Sequence, residues 1–381
     1  MIQRVAVVTE SFLPQVNGVT NSVVRVMETF KQQEIEAIVI SPTSVSEKHL
    51  GFKVHTTASL PLFQFPVAMP GPSISRLLED FDPDVIHVAA PFMIGAQAIA
   101  WGARNNTPTV AIYQTDVAGY LERYNLAFAR PVMEKIVANI HLGATLNLAP
   151  TKESADYLAS IGGGKVAVWG RGVDLDLFNP QNKSHPDSLR LRAQLAPEGE
   201  TIIGFVGRLA AEKQVHRMQE LLDLPNTKFV VVGDGPERPR LEALFGNRVR
   251  FLGALSGLEL AYAYAAMDIF THFGTEETFG QTIQEAQATG LAVVAPDSGG
   301  PKHLIEHGVD GLLAIPDGVG GYRKLVAALL GDAGYYRQVS EAAVRRVEGK
   351  SWIANNAKLL QYYEDAMAEN RALRAEQIEL A

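Results

Sequence analysis

The chain reads as an α/β protein of two doubly wound domains in tandem, and three observations predict this. At 381 residues it exceeds one ordinary core, because domains of about 150 to 200 residues are the usual unit. Short β-branched runs alternate with longer helical patterns, the rhythm of parallel strands joined by crossover helices. That rhythm breaks once, near residue 172, and restarts near residue 200.

In the first half the expected strands are 5–10 (VAVVTE), 36–41 (EAIVIS), 84–90 (DVIHVAA), 109–115 (TVAIYQT), 144–150 (ATLNLAP) and 165–169 (KVAVW). In the second they are 202–207 (IIGFVG), 228–235 (KFVVVGDG), 248–253 (RVRFLG), 268–273 (DIFTHF), 291–296 (LAVVAP) and 311–316 (GLLAIP). Between the halves, GRGVDLDLFNP ends in Pro180, a Gly, Asp, Asn and Pro cluster typical of an interdomain crossing. The last thirty residues form one helical pattern in which Trp352, Leu359, Leu360, Tyr363 and Met367 line a face. That helix caps its own domain or straps across both. The boundaries expected are 1–172 with a returning helix at about 358–381, and 173–357.

Hydrophobic residues make up 47% and charged residues 20%, with no low-complexity tract, so an ordered chain is expected. There are no cysteines, which excludes disulfides and thiolate chemistry and suits a reducing compartment. A net charge of −8 without a basic stripe argues against nucleic acid. The opening MIQRVAVVTE reads as a strand and not a signal peptide, and no run approaches the roughly 18 apolar residues of a membrane span. A cytoplasmic protein is expected.

The most informative stretch is EETFGQTIQEA, residues 276–286. A helix is expected to start near Phe279 and Gly280, which points the amides of Gly280, Gln281 and Thr282 out of its positive end and suits an anion such as a diphosphate. Glu277 lies before that start and Glu285 five residues in, roughly 7 Å along the axis. A carboxylate accepts from both hydroxyls of a vicinal diol, so a sugar at each end and a diphosphate between them fit the spacing. Helix-end capping and a solvated Glu285 explain the same pattern. Arg208 and Lys213, in GFVGRLAAEKQV, follow the first strand of the second half, where open α/β sheets bind ligands and where cations neutralise a leaving diphosphate; two solvated loop cations are the alternative. Gly18, in the first strand-to-helix turn, permits close backbone approach.

Other patterns carry less. GGGK at 162–165 lacks the spacing of a phosphate loop. HLIEH at 303–307 matches a zinc spelling without a third ligand, and no metal is expected. His87 is expected at a strand end.

Together, the early Gly18 turn, GRGVDLDLFNP, GRLAAEK, VVGDGPERPRLEAL, ETFGQTIQEA and SGGPKHLIEHGVDGLL resemble, in order, the retaining glycosyltransferases of the GT-B fold in family four. The resemblance covers nearly the whole chain, and the two glutamates with seven residues between them are its most specific part. In detail WGRGVD with ETFGQTIQEA is most similar to bacterial α-mannosyltransferases that use GDP-mannose on lipid acceptors, and to sulfolipid-type synthases.

The resemblance implies two Rossmann-like domains facing a cleft, the first on the acceptor side and the second binding the nucleotide-sugar donor, with the terminal helix crossing back to the first. It implies that Glu277 contacts the transferred hexose, Glu285 the ribose, and Arg208 with Lys213 the diphosphate. The amides from Phe279 to Thr282 would cradle phosphate, Gly253 to Leu255 would flank the base, and Gly18 would approach the donor from the first domain. No cofactor or metal is implied. Where relatives carry a His after the fourth strand this chain reads YQTDVAGY, with Gln114 at the common His position; the role is carried to Asp116, which serves in catalysis or binds sugar or acceptor.

For the acceptor, segments 57–78 and 119–140 are apolar and aromatic, with Arg123, Arg130 and Lys135 nearby. They suit a membrane face that collects a lipid or glycolipid acceptor on the inner side of the cell membrane, or a loop and helix packed in the core. Three rivals stand beside this reading. One is a UDP-sugar transferase of sulfolipid, galactolipid or soluble-acceptor type. The second is a nicotinamide-dependent oxidoreductase, whose glycine fingerprint neither half supplies. The third is a noncatalytic sugar-nucleotide-binding relative.

Overall fold

The computed structural model describes residues 2–15, 17–62, 65–89, 91–114, 127–277, 279–316, 318 and 321–379. The chain divides into two compact units, one of Met1–Arg171 with Trp352–Ala381 and the other Gly172–Ser351.

In the first unit an eight-stranded sheet runs in the order Val166–Val168, Leu146–Ala149, Thr109–Ile112, Val85–Ala89, Arg4–Thr9, Glu36–Ser41, Phe52–Thr56, Lys48–His49. All neighbours pair in parallel except the last two, which are antiparallel. Parallel strands covered on both faces need apolar side chains on both sides, and Val5 to Val8 and Val85 to Ala89 are buried throughout. His87 is therefore inside the sheet and not at a strand end; its Nδ1 lies 2.7 Å from the Tyr363 hydroxyl. Segment 57–78 forms an antiparallel hairpin, Ser59–Leu62 with Phe65–Ala68, followed by the helix Pro72–Phe81.

The C-terminal helix Trp352–Glu379 packs on this unit through Leu359, Tyr363 and Ala366, which share a core with Phe30, Val7 and Trp169. Asn356 joins that face, its amide donating to the Arg25 carbonyl at 3.0 Å and to Thr29 Oγ1 at 2.8 Å.

The second unit has six parallel strands in the order Val249–Gly253, Thr227–Val232, Thr201–Val206, Ile269–Thr271, Ala292–Pro296, Leu312–Ala314. Numbered within the unit this is 3-2-1-4-5-6, the doubly wound order whose reversal between strands 1 and 4 opens a crevice at their carboxyl ends. The loops leaving those two strands are 207–214 and 272–280. No helix among the described residues is long and apolar enough to cross a membrane.

Candidate active site

The two loops at the reversal point are tied together by their own residues. Lys213, at the end of a short 3-10 turn Ala211–Lys213, donates to Glu277 Oε2. Gln214 Nε2 donates to Thr275 Oγ1 at 2.9 Å. Gly274 lies so close to the neighbouring loop that a Cβ there would stand 2.9 Å from the Glu212 carbonyl. Arg208 is half-exposed and pairs with Glu212 at 2.6 Å. Lys213 and Glu277 are largely shielded, with side-chain exposures of 22% and 19%, so their attraction is screened less than that of a surface pair.

His272 follows strand Ile269–Thr271 and sits beneath this pair. Its backbone is held by the Val294 carbonyl and by the Tyr322 hydroxyl, which donates to its carbonyl at 2.9 Å. The ring is 1% exposed, and its Nε2 is 3.9 Å from Glu277 Oε2. Burial lowers its pKa to about 4, with the Glu277 carboxylate opposing and Lys213 adding to the shift, so the imidazole is neutral at physiological pH.

The helix that follows is Gln281–Ala288, starting one to two residues later than the sequence suggests. Gly280 is its N-cap, at φ 100 and ψ 54, a left-handed conformation that glycine adopts without steric cost. A glycine cap carries no side chain to occupy the first-turn amides, and the first turn holds no acid. That leaves the positive end suited to an external anion. Phe279 is 4% exposed and anchors the loop in the unit's core. Gln281 Nε2 donates to the Gly172 carbonyl at 3.0 Å, and Thr282 lies in the first turn.

Glu285 lies one turn in, its Oε2 accepting from the Tyr264 hydroxyl at 2.9 Å. Tyr264 is fully buried, and burial together with the adjacent carboxylate pushes its phenol well above the ordinary range, so it remains a donor. Backing the Glu277 loop is Ser298-Gly299-Gly300: Ser298 Oγ donates to the Thr275 carbonyl at 2.9 Å and the Gly300 amide to the Glu277 carbonyl at 2.6 Å. Gly253 ends its strand at φ +79 and accepts from the Gly233 amide at 2.7 Å, and Leu255 packs on the core nearby.

Gly18 belongs to the first unit. It opens helix Gly18–Gln32, capped by Asn17, which accepts from the Val19 and Thr20 amides at 3.0 Å each. The Arg171 guanidinium lies against it, so a Cβ at Gly18 would stand 2.4 Å from Arg171 Nη1. Arg171 also donates to Gln114 Oε1 at 3.2 Å. Asp116 and Arg123 lie outside the described residues.

The structure thus gathers Arg208, Lys213, Glu277, Phe279, Gly280, Gln281, Thr282 and Glu285 around one strand reversal, with Gly253 and Leu255 two strands away in the same sheet. Sequence reasoning missed Tyr264 and His272. Tyr264 lies in an alanine-rich helix, Gly257–Ala266, and no local spacing marks it. His272 stands five residues before Glu277, which was the one available signal. In HLIEH, His307 Nδ1 accepts from the Leu313 amide at 2.9 Å. Among the described residues no group of three His, Asp or Glu side chains is placed to hold a metal ion.

Two family models match: residues 16–177 fit one described as Glycosyltransferase Family 4, and residues 188–346 fit one described as Glycosyl transferases group 1. The chain belongs to this glycosyltransferase family and has its GT-B fold of two Rossmann-like domains. It is 41% identical over 376 residues to the GDP-mannose-dependent alpha-mannosyltransferase of Corynebacterium glutamicum, covering 96% of this chain and 89% of that protein. It is 24% identical over 336 residues to the alpha-monoglucosyldiacylglycerol synthase of Acholeplasma laidlawii, covering 81% of this chain and 84% of that protein. Among solved structures it resembles sucrose-phosphate synthase from Thermosynechococcus elongatus with a TM-score of 0.79 at 21% identity, covering 96% of this chain and 99% of that one.

Proposed function

We propose that this glycosyltransferase moves mannose from GDP-mannose to a hydroxyl of a lipid or glycolipid acceptor, with retention at the anomeric carbon and without a metal. The observation that carries the reading is the helix end capped by Gly280, without a side-chain cap, with Glu277 before it and Glu285 one turn beyond. The diphosphate binds the amides of Phe279 to Thr282, with Arg208 and Lys213 neutralising its charge. Glu285 takes the ribose hydroxyls and Glu277 the hexose, while Gly253 to Leu255 flank the base. By the family resemblance we assign Gly18 to the donor, and Asp116, which lies outside the described residues, to catalysis or to binding of sugar or acceptor.

In the reaction the bond from the anomeric carbon to the diphosphate oxygen breaks and a bond to the acceptor oxygen forms on the same face. The acceptor proton leaves with the diphosphate. Positioning and leaving-group stabilisation supply most of the acceleration.

The 41% identity to a GDP-mannose-dependent transferase supports the donor, and the likeness to a diacylglycerol glucoside synthase supports a lipid acceptor. A peripheral membrane contact draws support from Phe128, just before helix Arg130–Leu142, and from Val132 and Ile136 within it, which are exposed four residues apart with exposed Lys135 beside them. Arg130, by contrast, pairs with Glu134 at 2.8 Å. Isothermal titration with GDP-mannose, UDP-glucose and UDP-galactose tests the donor: tightest binding is expected for GDP-mannose, followed by transfer to a diacylglycerol glycolipid. Preference for either UDP-sugar would reassign the enzyme to the sulfolipid or galactolipid type.

A further inference from the structure

Glu277 has two neighbours of different kinds, the flexible cation Lys213 and the imidazole of His272. Lys213 reaches the carboxylate from the next loop on a four-carbon stem. The His272 backbone is held by the Val294 carbonyl of the sheet and by the Tyr322 hydroxyl of helix Gly321–Gly331, and its ring packs on Phe205, with ring centroids 6.3 Å apart and planes 22° from parallel. Among the described residues neither ring nitrogen meets hydrogen-bond geometry; the Glu277 carboxylate, the Lys213 ammonium and the Gly274 backbone are polar groups that act on the ring. Leaving a buried imidazole so poorly satisfied costs stability. Phenylalanine would offer an aromatic ring to Phe205 with no polar atoms to leave unsatisfied.

Resting on the proposed donor reading, we infer that His272 is a positioning residue for Glu277: its Nε2–H closes the 3.9 Å gap onto the carboxylate when Glu277 engages the hexose. A neutral donor suits this task better than a second cation, because it orients the carboxylate without competing for the diphosphate. Lys213 is then shared with the leaving group while Glu277 keeps a fixed direction. No covalent step is assigned to His272.

The test compares wild type, His272→Phe and His272→Asn, using GDP and GDP-mannose as probes. GDP, which lacks the hexose, should bind all three within about twofold, while His272→Phe should lose about tenfold or more in kcat with GDP-mannose. His272→Asn retains an N–H donor and should recover part of that loss. A Phe variant with wild-type kcat would overturn the inference, and so would parallel weakening of GDP and GDP-mannose, which marks general damage to the loop.

Should His272→Phe fail to fold, nitrogen-15 NMR of histidine-labelled wild type decides the matter. The proton is expected on Nε2, with its resonance moving downfield on adding GDP-mannose but not GDP. A proton on Nδ1 in the donor complex overturns the proposal. Wild type that binds no GDP-mannose but binds a UDP-sugar refutes the donor assignment alone, and the same comparison is then made with that sugar nucleotide and UDP.

Discussion

Glu277 and Glu285 are the same residue type on the same short stretch, and their partners differ. Glu277 shares an oxygen with a cation beside a neutral imidazole, which suits a group that must follow a reacting sugar. Glu285 is held by a buried phenol that cannot ionise at working pH, which suits a fixed clamp on a ribose. Tyr264→Phe removes one hydroxyl, and with it the bonds to Glu285 and to the Thr282 carbonyl at 3.3 Å. It should weaken GDP binding by about 1 kcal/mol, or five- to tenfold in Kd, with little change in kcat; titration calorimetry and steady-state rates read the two quantities separately. An unchanged Kd would mean that Glu285 orients itself without Tyr264. The glutamates were legible because their spacing about a helix start is local. Their partners were not, since Tyr264 and His272 reach them only once neighbouring elements pack.

At the scale of elements, the site depends on how close two loops approach. Gly300 packs on the Phe279 backbone so tightly that an added Cβ would stand 2.3 Å from the Phe279 carbonyl, and at Gly299 the Glu277 carbonyl would stand 2.6 Å away. The motif SGG is therefore a buttress for the loop that carries Glu277, and backbone atoms cannot step aside as a flexible side chain can. Gly300→Ala should displace Glu277 and the Phe279 amide together, costing about 1–3 kcal/mol of stability and at least tenfold in kcat/KM. Denaturant unfolding and donor kinetics on the same variant check both effects; a stable variant with full activity would show that the loop is not held from this side. Twelve of the fourteen strands in the two main sheets were readable, because β-branched runs bounded by turn residues favour strands; Lys48–His49 and Phe52–Thr56 were not expected. The hairpin Ser59–Leu62 with Phe65–Ala68 was not, since Pro61 and Pro66 interrupt its pattern and antiparallel pairing off the main sheet leaves no period to recognise.

For the molecule as a whole, each unit closes its own core, and the first is completed by the last helix of the chain. Asn356, Leu359, Tyr363 and Ala366 recur on one face, and Tyr363 bonds a histidine 276 residues earlier. The same unit holds Glu10 at its own strand reversal, accepting from the amides of Phe92 and Gly95 at 3.3 and 3.1 Å. Burial, outweighing those amides, raises Glu10 from 4.5 to about 7. Its folded pKa exceeds its unfolded one, so its contribution to stability is complete below pH 4.5 and is lost as the pH rises through 7. Glu10→Gln keeps an acceptor for both amides and removes the titration. The variant should therefore gain on wild type by about 3 kcal/mol between pH 4.5 and 8. All three tryptophans, Trp101, Trp169 and Trp352, lie in this unit, so their fluorescence during denaturation reports it directly. A difference between the two proteins that does not vary with pH would show that Glu10 is ionised throughout.

The sequence by itself determined the strand rhythm, the paired sheets, the family and the glutamates flanking a helix start, because periodicity, turn chemistry and helix-end electrostatics act over a few residues. Only the tertiary structure decided which side chains stand behind those glutamates, which glycines press on the loop between them, and where the last helix docks. Those contacts join residues that are far apart in the chain. They come into being when the strand order reverses and brings separate loops to one edge of a sheet.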